Sequence, residues 1–259
     1  MLSKKVRSFP PPKKIGRAKK KPTDDRARFL IDQCPQKITG VIQIPGLQID
    51  PPEHESSHEK HAIKVLALCF DVAGIGSQSQ KITWTDSAGK ERKYTIDLKV
   101  TISEGESIWV EVKPIAEIAK EETLEKLIGV AQQYATNHQR FDILSAEAIC
   151  VEPRLSIAIR IRGFLTQSVP DETRADIQRL LADGAKPIRE LLESLGGTQF
   201  WSHILALIAQ RALCISWDET FSKDMQVSLP KRKRSTVPCC QPAYSAVIGR
   251  RGSSSSIRL

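Results

Sequence analysis

The sequence predicts an α/β fold, a mixed core of order helix, three strands, helix, strand (αβββαβ), followed by a smaller, mostly helical unit. Three observations carry this. Ala62, Ile63, Leu66 and Phe70 recur at helical spacing. Three runs rich in β-branched and aromatic residues follow at 81–85, 93–101 and 108–113. Beyond Pro153 the apolar residues fall mainly at the 3.6-residue period of helices.

The first helix covers 56–70, and its buried stripe runs back to Glu59, which puts an acid on a core-facing surface. Asp86-Ser87-Ala88-Gly89 and Glu104-Gly105 are turn sequences, so the three strands read as an antiparallel meander. Residues 117–135 carry Ile118, Leu124, Leu127, Ile128, Ala131 and Tyr134 on a helical period, and a strand starts at Phe141. Asp171 is placed to cap a helix bearing Ile177, Leu180 and Leu181 that ends at Gly184. Pro187 opens the next helix, with Ile188, Leu191, Leu192 and Leu195, which stops at Gly196-Gly197. A third helix carries Phe200, Ile204, Leu207 and Ile208, and 212–217 with 225–227 forms a strand pair. Three short helices of this kind suggest a helix-turn-helix arrangement. The expected organisation is a basic arm over 1–35, a first domain over 36–152, a second over 153–229 and a basic tail over 230–259.

Charge is divided between these parts. Residues 1–30 hold eleven Lys and Arg against two Asp and 230–259 hold seven against none, so the stretch between them carries −7 of a total of +9. Basic arms on an acidic body suit arms that follow phosphates and a pocket that holds metal ions. The six cysteines (Cys34, Cys69, Cys150, Cys214, Cys239, Cys240) show neither CxxC spacing nor companion histidines, so they read as reduced thiols rather than a zinc cage. No stretch approaches the ~20 apolar residues of a membrane span, and a soluble, cytoplasmic chain with no membrane partner is expected.

Strand alternation gathers the chemistry. Over 94–98 it puts Tyr94, Ile96 and Leu98 on one face and Thr95, Asp97 and Lys99 on the other. Over 108–113 it puts Trp109, Glu111 and Lys113 on one face, so pairing of the two strands stands Asp97 beside Glu111. Clustered carboxylates repel each other unless a cation joins them, and Mg²⁺ or Mn²⁺ prefers carboxylate and carbonyl oxygens.

An acid-bearing helix followed by D-x(13)-E-x-K resembles the PD-(D/E)XK nucleases, whose restriction-endonuclease-like core has this element order. Glu55-Ser56-Ser57-His58-Glu59, Gln78-Ser79-Gln80, Tyr94-Thr95-Ile96-Asp97 and Glu111-Val112-Lys113-Pro114 narrow it to the TnsA-type endonuclease subunit of heteromeric transposases. Residues 185–191 and 207–213 look like that family's C-terminal winged-helix domain. The resemblance implies a catalytic set of Glu59, Asp97, Glu111 and Lys113, with Mg²⁺ (or Mn²⁺) held by Asp97, Glu111, the Val112 carbonyl and Glu59. It further implies cutting of the 5′ ends of a mobile element, a DDE-type transposase partner, an ATP-dependent regulator, double-stranded DNA as substrate and a prokaryotic, nucleoid-associated setting. Two departures stand out. Ile96 replaces the motif's proline, so the bend before the acid has to come from elsewhere, and the residue after Gln78 is not the family's proline, which leaves Gln80 to take the glutamine role.

Two other classes compete. One is a catalytically inactive DNA-binding or assembly scaffold with a nuclease-like fold. The other is a zinc metalloprotease, since His54-Glu55-Ser56-Ser57-His58 satisfies HExxH. Pro51-Pro52 makes that stretch the start of a helix rather than its middle, so these histidines are expected to be exposed. Trp109 and Trp201 read as core residues, and Lys231-Arg232-Lys233-Arg234 as a DNA-contacting arm.

Overall fold

The computed structural model describes residues 39–44, 51–78, 80–103 and 105–230. Both basic tails, Cys34, Cys239, Cys240, Ser79 and Glu104 lie outside the described residues. The chain opens with two short strands, β1 (Gly40–Val41) and β2 (Glu53–His54), paired antiparallel. Helix α1 (Ser57–Leu66) follows, with Ser56 as its N-cap. Strands β3 (Val72–Ser77), β4 (Lys81–Thr85), β5 (Glu91–Thr95), β6 (Leu98–Ile102) and β7 (Ser107–Lys113) come next. Helices α2 (Ile115–Ile118) and α3 (Glu121–Thr136) lead to β8 (Arg140–Ser145) and α4 (Ala146–Ile149).

Strands β3 to β8 form two sheets rather than one meander. The larger has the order β3-β6-β7-β8, with β8 parallel to β7 and the other pairs antiparallel, while β4 and β5 make a separate hairpin. The run expected as one strand over 93–101 breaks at Ile96-Asp97, between β5 and β6. Ile96 is fully buried in a small apolar cluster with Ile82, Trp84, Val130 and Tyr134. Its N–H donates to the Gln80 carbonyl at 3.3 Å, while the Asp97 carbonyl accepts from the Gln78 N–H at 3.0 Å. These bonds and this burial supply the bend that the motif's proline would otherwise impose. The helix expected over 117–135 is likewise two helices, α2 and α3.

Beyond Pro153 the chain is helical with short strands: α5 (Arg154–Arg162), α6 (Asp171–Leu180), β9 (Lys186–Pro187), α7 (Ile188–Leu195), α8 (Trp201–Ala209), β10 (Cys214–Ile215) and β11 (Gln226–Ser228). The expected strand pair is β10 and β11, and β9 adds a third strand on β11. Two cap assignments need correction. Pro170, not Asp171, occupies the N-cap of α6, and Asp171 starts the helix, where its charge favours the N-terminus. Pro187 is the N-cap of α7 rather than its first residue. Gly196 closes α7 at φ +97, a conformation that costs a glycine little. One apolar cluster runs from Ile42 to Val227 and joins the two parts through α1, α5 and α8. Cys69 is buried within it, and Cys69 and Cys150 are free thiols. Trp109 and Trp201 are half-buried against apolar neighbours. Among the described residues no helix is long and apolar enough to cross a membrane.

Helix α3 lies on β4 with Gly129 against the Trp84 ring. A Cβ at Gly129 would stand 2.4 Å from Trp84 Cε3. Alanine ordinarily favours a helix by about 1 kcal/mol over glycine, yet overpacking costs about 1–3 kcal/mol. Gly129→Ala is therefore expected to lower the urea midpoint of unfolding, with part of the loss recovered in a Trp84→Phe background. A more stable Gly129→Ala protein would contradict this packing.

Asp142 on β8 is mostly buried beside Arg140, whose Nη2 lies 3.5 Å from its Oδ2. Burial raises its carboxyl from 3.8 to about 6, against the lowering effect of Arg140. The folded protein thus binds more protons than the unfolded chain between about pH 4 and 6, and this group's contribution to stability falls as pH rises through that window. Wild type is expected to lose about 2 kcal/mol relative to Asp142→Asn between pH 4 and 7. Parallel pH dependences of the two proteins in denaturant titrations would overturn this.

Candidate active site

Helix α1 and strands β5 to β7 bring Glu59, Asp97 and Glu111 within electrostatic reach of one another. In the β6–β7 ladder Leu98 faces Val110, so one residue further along Asp97 stands opposite Glu111, as strand alternation predicts. Asp97 Oδ2 accepts the Val112 N–H at 2.9 Å. In a strand the N–H and C=O of one residue point to the same side, so the Val112 carbonyl is turned toward Asp97 as well. Glu111 is completely buried, and Lys113 shares its face, with Nζ 2.5 Å from Glu111 Oε1.

Tyr94 was expected on the opposite face of the strand from Asp97. The break between β5 and β6 cancels that alternation, and the Tyr94 hydroxyl donates to Glu111 Oε1, beside Lys113. The signal for this residue was the proline position of the motif, which marks a bend where counting faces fails.

Glu59 comes in from α1, where it is buried. Ser56 Oγ accepts the Glu59 N–H at 3.1 Å and donates to Glu59 Oε1 at 2.9 Å, while Oε2 accepts the Glu55 N–H at 2.7 Å. Ser56-Ser57-His58-Glu59 is thus a capping-box spacing, with the acid reaching back over the helix start. Glu59 consequently has a structural duty as well as a place at the acidic point.

The electrostatics are those of carboxylates held together. Burial pushes Asp97 well above the usual carboxylate range, and the charges of Glu111 and Glu59 push it further. Glu59 is raised by burial, opposed by the bonds from Glu55 and Ser56 and reinforced by Glu55 and Glu111. Burial pulls the Lys113 ammonium down, but the Glu111 and Asp97 charges outweigh it and leave it above its ordinary value. Burial, then the Glu111 and Asp97 charges, push the Tyr94 hydroxyl far up, so it remains a donor.

The donor set is chemically that of a hard divalent cation. All its groups are oxygens, they repel one another, and Glu111 Oε2 is buried without a hydrogen-bond partner. In the described arrangement Lys113 and Tyr94 occupy Glu111 Oε1, and among the described residues no three of His, Cys, Asp and Glu are gathered as a ready metal shell. That finding also bears on HExxH. His54 is buried in strand β2 and His58 lies in α1, so the two are not one turn apart on a helix, and His54 is not exposed as expected. Gln80 Oε1 accepts the Tyr134 hydroxyl at 3.3 Å, which puts this side chain beside the small cluster.

Residues 70–152 match the TnsA-like endonuclease N-terminal domain. The match spans β3 to α4 and includes Asp97, Glu111, Lys113 and Tyr94, which supports the TnsA-type nuclease read from the motifs. Glu59 precedes the TnsA-like stretch, and α5 to β11 follow it. Among curated proteins, none matches the chain.

Proposed function

We propose that the chain is the nuclease subunit of a heteromeric transposase and hydrolyses phosphodiester bonds at the 5′ ends of a mobile element. The observation that carries this is the meeting of Asp97, Glu111 and Lys113 on adjacent strands inside a TnsA-like stretch. Asp97, Glu111 and the Val112 carbonyl would hold Mg²⁺, with Glu59 reaching it directly or through water and Mn²⁺ as a substitute. Such an ion supplies Lewis-acid polarisation of the phosphate and charge for the departing oxygen. Lys113 keeps its ammonium beside Glu111, where it can orient the attacking water and offset charge gathering on the phosphate. Tyr94 donates to the same carboxylate and fixes its direction. In-line attack by water leaves a 5′-phosphate and a 3′-hydroxyl.

The rest of the chain fits a division of labour. We read 36–152 as the nuclease domain and 153–229 as a winged-helix domain of four helices, α5 to α8, and a three-stranded sheet. Residues 204–209 of α8 are all buried, so that helix is not free to enter a groove. Residues 153–229 hold nine Asp and Glu against nine Lys and Arg, so this domain has no net charge to draw it to phosphates. A DDE-type transposase and an ATP-dependent regulator are the partners this reading calls for, on double-stranded DNA in a prokaryotic cytoplasm.

A second reading, an inactive scaffold, has one observation in its favour: Glu59 is engaged in capping and Glu111 in bonds to Tyr94 and Lys113. The deciding experiment is nicking of supercoiled DNA bearing the element's ends, with Mg²⁺ and a catalytically dead transposase, comparing wild type with Asp97→Ala. Cutting at the 5′ ends that the substitution abolishes supports the nuclease. An assembled complex that cuts with neither protein supports the scaffold.

A further inference from the structure

We propose that the outward face of α1, with Lys60 and Lys64 and with Arg162 of α5 beside them, is a phosphate track that lays duplex DNA toward the acidic site. The proposal rests on the nuclease reading for its ligand. Helix α1 has two sides: Glu59, Ala62, Ile63, Val65 and Leu66 are buried, whereas His58, Lys60, His61 and Lys64 are at least partly exposed. Lys60 and Lys64 are one turn apart, as are His58 with His61 and His61 with Lys64, so the four side chains crowd one surface. Packing of α5 on α1 brings in Arg162, whose Nη2 donates to the Gln43 carbonyl at 2.8 Å while its buried Nε has no hydrogen-bond partner among the described residues.

Among the described residues, none of Lys60, Lys64 and Arg162 is ion-paired with an acid. After burial, what lowers the Lys64 ammonium is Lys60 and Arg162. No acid enters that balance, although the stretch between the basic tails carries −7. A polyanion laid across the face would remove that repulsion. None of the large exposed apolar side chains of the described residues lies on α1, and Ile159 of α5 is the one that shares a helix with Arg162. The same ten-residue helix presents Glu59 on its other side, so a strand held on the track is fixed in position relative to Asp97 and Glu111.

The test is equilibrium binding of the full chain to a short non-specific DNA duplex, without divalent metal, over a series of NaCl concentrations. Each neutralised phosphate contributes about −0.9 to the slope of log K against log salt. The double substitution Lys60→Gln, Lys64→Gln is expected to reduce the slope by about 2 and Arg162→Gln by about 1. Arg179→Gln with Lys223→Gln, which removes the same charge elsewhere, is expected to leave it unchanged. Far-ultraviolet circular dichroism checks that each variant is folded. An unchanged slope in the Lys60, Lys64 variant, or an equal reduction in the Arg179, Lys223 variant, overturns the track. If the slope stays unchanged while Asp97→Ala still abolishes nicking, only the track falls. If the slope drops as expected but no nicking is found, the track stands and the nuclease reading falls.

Discussion

Asp97→Ala is expected to lower Mg²⁺-dependent nicking by about 10³-fold or more, a loss on the order of 4 kcal/mol of transition-state stabilisation. The size follows from what Asp97 does at two levels. It is one of two carboxylates facing each other across the β6–β7 ladder, and its Oδ2 holds the Val112 N–H at 2.9 Å. Under the proposed function, removing it takes away a charge that would hold the cation, and it frees the segment that carries Val112. The fold should survive. The lost hydrogen bond costs about 1 kcal/mol, while relief of the repulsion from Glu111 and Glu59 acts in the opposite direction. Asp97→Asn, which keeps the shape and loses the charge, is expected to be as inactive and no less stable. Activity is measured in the assembled transposase complex, and stability by denaturant titration without metal. An Asp97→Asn protein that nicks at the wild-type rate would sink the assignment.

The elements that place this site were unevenly legible in the sequence. The α1 stripe and the β7 alternation are local patterns, so Glu59 as a core-facing acid and Glu111 with Lys113 on one face follow from counting. The register that stands Asp97 beside Glu111 was reachable because the turn between the strands is short. The break at Ile96-Asp97 was not. The run from Lys93 to Thr101 contains no glycine or proline, and the bend is made by burial of Ile96 and by bonds to Gln78 and Gln80, which are distant in sequence. Tyr94 was missed for the same reason. Strand β3 was missed because Gly74 and Gly76 weaken its pattern, although β6 pairs along its length. Residues 154–162 alternate almost like a strand yet form α5, which packs against both α1 and α8. Tertiary packing overrode local period there.

Tyr134→Ala is expected to cost about 3–5 kcal/mol, the range for emptying a buried aromatic site. Tyr134 is fully buried in the second, smaller apolar cluster, where it links several parts of the chain. Its ring stacks on Phe141 of β8 at 5.4 Å and tilts against Trp109 of β7 at 5.5 Å, and its hydroxyl donates to Gln80 before β4. So few residues make up this cluster that the hole cannot be refilled by small shifts. The same cluster holds Ile96, whose burial makes the bend that delivers Tyr94 and Asp97 to the site. Nicking by Tyr134→Ala should therefore fail at temperatures below its unfolding midpoint, because the bend loosens before the four-stranded sheet melts. Tyr134→Phe, which loses only a 3.3 Å hydrogen bond to Gln80, should cost about 1 kcal/mol and leave nicking intact. If Tyr134→Ala lost stability while nicking at the wild-type rate wherever it stays folded, the small cluster would be a separate stabilising element and not the support of the bend.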